Sequence, residues 1–117
     1  MAFSQAEKLS LLDGLTACRR QSQLAEVSLR LEGHATEADR IRDKTADLSK
    51  QIDGLMAKMM NEWQGQAAAC VTDVGTCTAA LEQTVNDIKK QVKIAQNVVK
   101  AVGFVDDAVA IAKKALA

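Results

Sequence analysis

Apolar residues recur along most of this 117-residue chain at alternating steps of four and three. One stripe is Leu11, Leu15, Cys18, Ser22, Ala25 and Leu29. A second is Ile41, Thr45, Leu48, Ile52, Leu55 and Met59. A third is Leu81, Val85, Ile88, Val92, Ala95, Val99 and Val102. An α-helix gathers such positions on one face, and the 3-4 alternation favours nearly aligned, coiled-coil-like packing. The chain has no Pro, so no ring interrupts these helices. Zero Pro and 3% aromatic residues argue against an all-β fold, which needs turn-makers and bulky strand residues. At 48% apolar the chain is too hydrophobic to stay disordered, and its length suits one domain. No unbroken apolar run is longer than Ala67 to Val71, which is far short of the roughly 20 residues that span a bilayer.

Capping signals divide the chain. Ser4-Gln5-Ala6-Glu7 has the form of a capping box, so helix A starts there. Gly33 suits a left-handed stop. Thr36 caps the next helix, with Glu37 and Asp39 at its positive dipole end. Gly65, Asp73, Gly75 and Thr76 place a connection within 65–76. Gly103 ends or bends the third helix, and Asp106-Asp107 with Lys113-Lys114 frame a short fourth one. The expected helices are A about 5–32, B about 37–64, C about 77–102 and D about 106–116. Folding A on B about residue 35 sets Leu15 against Leu55 and Ser22 against Leu48. Folding B on C about residue 70 sets Leu55 against Val85 and Leu48 against Val92. The implied fold is all-α: an antiparallel up-down-up three-helix bundle with a short C-terminal fourth helix. The same register brings Gly14 level with Gly54, as for a close backbone approach. Phe3 and Trp63 fall at one end, where they would plug the A/B hairpin.

Two regions are more apolar than a three-helix core requires. Val71 and Val74 lie in the B–C connection, which would protrude as a two-helix tip if it were helical. Val105, Val109, Ile111 and Leu116 leave helix D apolar nearly all round. Helix D must fold back on the bundle or pack on another chain. These six residues form the expected interaction surface.

The inventory for catalysis is thin. His34, the single histidine, sits in a turn with no nucleophile nearby in sequence. No Glu-x-x-His pair supports a carboxylate-bridged metal site, and no glycine-rich loop suits a phosphate. Cys18, Cys70 and Cys77 have neither a disulfide framework nor metal-knuckle spacing. On one helix Cys70 and Cys77 would stand about 10.5 Å apart, beyond disulfide reach, whereas a turn at Val74-Gly75 would let them approach. No cofactor or metal is expected. The 15 basic and 15 acidic side chains balance, which removes the usual electrostatic case for nucleic acid. Lys89, Lys93 and Lys100 recur on one outer face of helix C, but no aromatic lies among them to stack on bases.

Glu62-Trp63-Gln64-Gly65 contains Trp-x-Gly after one helix and before another. It resembles the WXG100 family of small secreted helical hairpins, over about residues 37–117. The resemblance implies turn roles for Trp63 and Gly65, export without a cleaved leader, and dimerisation. The chain departs from the family's pattern in its extra helix A, its long connection and its lack of any Tyr for the tail signal.

Residues 1–30 carry Glu7, Lys8, Asp13, Arg19, Arg20 and Glu26 and form no apolar leader, so a cytoplasmic location is the default, with leaderless secretion the alternative. The residues point to a non-catalytic helical module that binds protein, including copies of itself as a homo-oligomer. The alternatives are the WXG100-like secreted hairpin and a lipid- or granule-surface binder working through amphipathic helices C and D, with peripheral contact and no transmembrane segment.

Overall fold

A computed structural model describes residues 3–116. The described residues form four helices of similar length: α1 (Gln5–Leu31), α2 (Ala35–Ala57), α3 (Ala67–Lys89) and α4 (Ile94–Leu116). They pack into a rod with principal extents of 45 × 22 × 17 Å. Helix α1 lies between α2 and α3, and α4 also lies between α2 and α3. Helices α2 and α3 stand at opposite corners, with no Cα atoms within 8 Å, while α1 and α4 approach across the short diagonal. The chain therefore forms two helical hairpins, α1–α2 and α3–α4, laid side by side. The α2–α3 connection crosses the bundle end to join them.

Helix α1 begins as the capping box requires. Ser4 Oγ accepts from the Glu7 amide at 3.1 Å, and the Ser4 amide donates to Glu7 Oε1 at 2.9 Å. It ends at Gly33, whose φ of 82° lies in the left-handed region. Every residue of the first stripe is buried, and so are Ile41, Thr45, Leu48, Ile52 and Leu55 of the second. The register of this hairpin is shifted by about one turn from the expected one. Ser22 Oγ meets Thr45 Oγ1 at 2.5 Å, where Leu48 was expected. A second departure is that His34, not Thr36, occupies the N-cap of α2, and its side chain makes no cap bond.

The second half corrects the expected architecture. Residues 67–76, expected to connect B to C, are helical from Ala67 onward, as a run of Ala and Cys permits. The expected helix C is instead cut at Lys90–Lys93, where Gln91 and Lys93 have φ of 59° and 43°. Leu81, Val85 and Ile88 are buried, but Val92 and Val99 are exposed, because the chain reverses before the stripe can continue. The expected helix D is the second half of α4. Gly103 lies inside α4 and stops nothing. Asp106 caps nothing, and accepts an ion pair from Lys44 of α2 at 3.0 Å. The pairing of B with C about residue 70 does not occur, since α2 and α3 do not meet.

Gly14 serves a close approach, but to α3 rather than to Gly54. A Cβ at Gly14 would lie 2.6 Å from Val74 Cγ1, and Thr78 Oγ1 donates to the Gly14 carbonyl at 3.2 Å. Nothing lies within 4 Å of the corresponding point at Gly54.

Segment 58–66 closes one end of the rod. Trp63 is fully buried, and its ring meets Phe3 edge-on, with centroids 5.3 Å apart. Trp63 Nε1 donates to the Lys58 carbonyl at 3.0 Å. Lys8, itself buried, extends beside the Trp63 ring and donates to the carbonyls of Met59 at 2.8 Å and Asn61 at 2.6 Å. The Gly65 amide donates to the Ala115 carbonyl at 3.1 Å. A side chain at Gly65 would collide with the Lys114 carbonyl and come within 2.9 Å of Ala115 Cα, so the α4 backbone can lie against it only if residue 65 is Gly.

Candidate interaction surface

The six residues singled out for interaction are placed inside the chain's own packing. Val74 and Val105 lie in the core, Val109 and Ile111 are buried, and Val71 and Leu116 pack half-buried against it. The cause is the extended α3. It offers α4 a full-length partner, and α4 folds back along it. Ala101, Ala108, Ala112 and Ala115 are buried on α4, and such small side chains admit a close neighbour. The apolar surplus at these six positions is thus taken up within the chain's own packing.

A different apolar stripe remains in water. Leu24, Val27 and Leu31 follow one another at three and four residues near the end of α1, with 39%, 54% and 79% of their surfaces exposed. At 100° per residue they lie opposite Cys18, Ser22, Ala25 and Leu29, which face the core. Leu9, also exposed, continues the same face toward the start of the helix. The signal was present in the sequence as a second stripe half a turn away from the first. It was masked because helix A already had a complete core face. Arg30 borders this stripe and is held by Glu26 at 2.9 Å and Asp39 at 2.8 Å.

The described residues show a second feature, a groove of about 350 Å³ between α3 and α4. Asp73, Cys77, Phe104, Asp107, Ile111 and Lys114 are among its walls. A neighbouring hollow shares Asp73, Ile111 and Lys114 and adds Cys70. All three cysteines are unbridged and buried. Cys70 and Cys77 stay on one continuous helix, as the distance argument requires, so they are not partners. Cys77 instead lies on the stretch of α3 that packs on Gly14, one turn before Cys18 of α1. The neighbouring thiol and burial raise the Cys18 pKa, and the same neighbour lowers that of Cys77. The Cys77 thiol also lies 2.9 Å from the Phe104 carbonyl. Burial raises the Cys70 pKa, and Asp73 adds to the effect. No cluster of three or more His, Cys, Asp or Glu side chains suited to a metal ion exists among the described residues.

His34 lies between the two end turns, with Nε2 3.2 Å from Gln91 Oε1. The expected lysine face is broken up, because Lys89 ends α3, Lys93 lies in the following turn and Lys100 belongs to α4. No described helix is long and apolar enough to cross a membrane. Trp63 and Gly65 do lie in the connection between two helices, but residues 37–117 include α2, α3 and α4, not a two-helix hairpin. No protein-family model, curated protein or solved structure matches the chain.

Proposed function

We propose that this chain is a non-catalytic protein-interaction module that self-associates through the outer face of α1. The observation that carries the reading is the stripe of Leu24, Val27 and Leu31, three exposed apolar side chains in helical register on the face of α1 turned away from the core. Single exposed apolar residues are ordinary, but three in helical register form a seam of the kind that pairs helices. Zero formal net charge supports the same reading, since two copies approach without long-range repulsion. A two-fold arrangement would lay one such stripe on its equivalent.

Light scattering after size exclusion, over a wide dilution series, tests the proposal. The expected result is a dimer that dissociates on dilution. Val27→Glu with Leu31→Glu should give a monomer at all concentrations without lowering the melting temperature of that monomer, because both positions lie outside the core. A wild-type chain that remains monomeric at the highest concentrations would overturn the proposal.

A further inference from the structure

Cys18 is fully buried on α1, one turn beyond Gly14, and Cys77 lies on α3 between Val74 and Thr78, the two residues that touch Gly14. The two helices are neighbours because Gly14, one turn before Cys18, lets Val74 and Thr78 press against the α1 backbone. Such an approach is what a disulfide between helices needs, since its Cα atoms must come within about 4.4–6.8 Å. On its other side Cys77 borders the α3–α4 groove, which opens to solvent. One thiol is therefore reachable by a small molecule, and the other waits behind it, sealed from solvent.

We propose that Cys18 and Cys77 are a peroxide-oxidised pair that closes to a disulfide and staples α1 to α3. The oxidant is a hydroperoxide small enough to enter the groove. The Cys77 thiolate attacks one peroxide oxygen, the O–O bond breaks, and the leaving hydroxide takes the proton that Cys77 gave up. With hydrogen peroxide this leaves a sulfenic acid on Cys77 and one water. The Cys18 sulfur then attacks the Cys77 sulfur, the S–OH bond breaks, and the hydroxyl leaves as a second water with the Cys18 proton. Two thiols lose two electrons, and one peroxide is reduced to two waters. Access sets this order, because Cys77 lines the groove while Cys18 is fully buried. Cys70 has no facing thiol and stays outside the pair.

The test uses the full-length Cys70→Ser chain, folded and treated with hydrogen peroxide, with thiols then alkylated under denaturing conditions. The expected product is lighter by about 2 Da, takes up no alkylating agent and regains two thiols on reduction. Its melting temperature should exceed that of the reduced chain by several degrees. A product in which Cys77 gains two oxygens while Cys18 remains alkylatable would overturn the proposal. So would a folded chain whose two thiols resist peroxide. In Cys18→Ala, dimedone should trap a sulfenic acid on Cys77, and failure to trap one in the folded variant counts against the proposed order of attack. If that variant does not fold, the Cys70→Ser measurement decides alone.

Discussion

The two turns at the closed end of the hairpins have the same hydrogen bonds and different sequences. After α1, the His34 amide donates to the Leu29 carbonyl at 2.8 Å and the Gly33 amide to the Arg30 carbonyl at 3.2 Å. After α3, the Val92 amide donates to the Asp87 carbonyl and the Gln91 amide to the Ile88 carbonyl, both at 3.0 Å. Each is the paired arrangement of a Schellman stop, with one residue in the left-handed region. Gly33 takes that conformation without a Cβ penalty. Gln91 does not, at a cost of roughly 1–2 kcal/mol, and Lys93 adds a second left-handed residue. Side chains offset the cost in the second turn. Gln91 Nε2 donates to the Ile88 carbonyl at 3.2 Å, and buried Asn97 donates to the Val92 carbonyl at 2.6 Å. The backbone bonds define the turn, and glycine is only one way of lowering its cost.

The largest test of this contrast is Asn97→Ala. The first turn has no equivalent side-chain brace, so the loss should fall on the α3–α4 turn alone. Stability should drop by on the order of 1–2 kcal/mol in urea unfolding, with hydrogen exchange quickening first at the start of α4. Exchanging the left-handed residues comes next. Gly33→Ala meets no steric contact within 4 Å, so its cost is conformational, about 1 kcal/mol. Gln91→Gly should move the other way and raise stability by a somewhat smaller amount, since it also removes the weak Gln91 side-chain bonds. Equal effects of the two substitutions in the same direction would show that the turns are not equivalent after all. The smallest effect is electrostatic and belongs to the first turn. The hydrogen bond from Arg30 holds the Asp39 carboxyl below its ordinary value of 3.8. A depressed folded-state pKa means that the pair's contribution is present above that value and is lost as the pH falls below it. The melting-temperature gap between wild type and Asp39→Asn should therefore be small near neutrality and should close on acidification below about pH 3.8.

The same contrast explains what could be read from the residues. In the first hairpin α1 was legible because Ser4, Glu7 and Gly33 mark both its ends and the apolar stripe runs unbroken between them, whereas α2 stops at Ala57 and not near residue 64 as expected. The second was misread at both ends. Lys90-Gln91-Val92-Lys93 contains neither Gly nor Pro, so the stripe through Val92, Ala95 and Val99 carried the helix past a reversal that left Val99 in water. Ala67 to Ala69 with Gly65 and Gly75 resembled a link, although runs of small residues also suit a helix that another must approach closely. Once α3 and α4 were misplaced, Val74 and Val105 became surplus surface rather than core. The nearness of Cys18 to the Cys77 stretch of α3 was not legible at all. It depends on α1 lying beside α3, and that order of helices around the bundle has no local signature.

The crossing connection sets an order of assembly. Within each hairpin the contacts are local, and local contacts form early, because the chain between the partners is short. The α1–α3 and α2–α4 contacts join residues far apart in the chain, so they carry the larger loop-closure entropy. Where each hairpin forms first, Gly65 reaches its contact with Ala115 of α4 only when the two meet, whereas Phe3 and Trp63 flank the first hairpin and can meet within it. The segment between the hairpins is thus the seam along which the folding chain commits to a single topology.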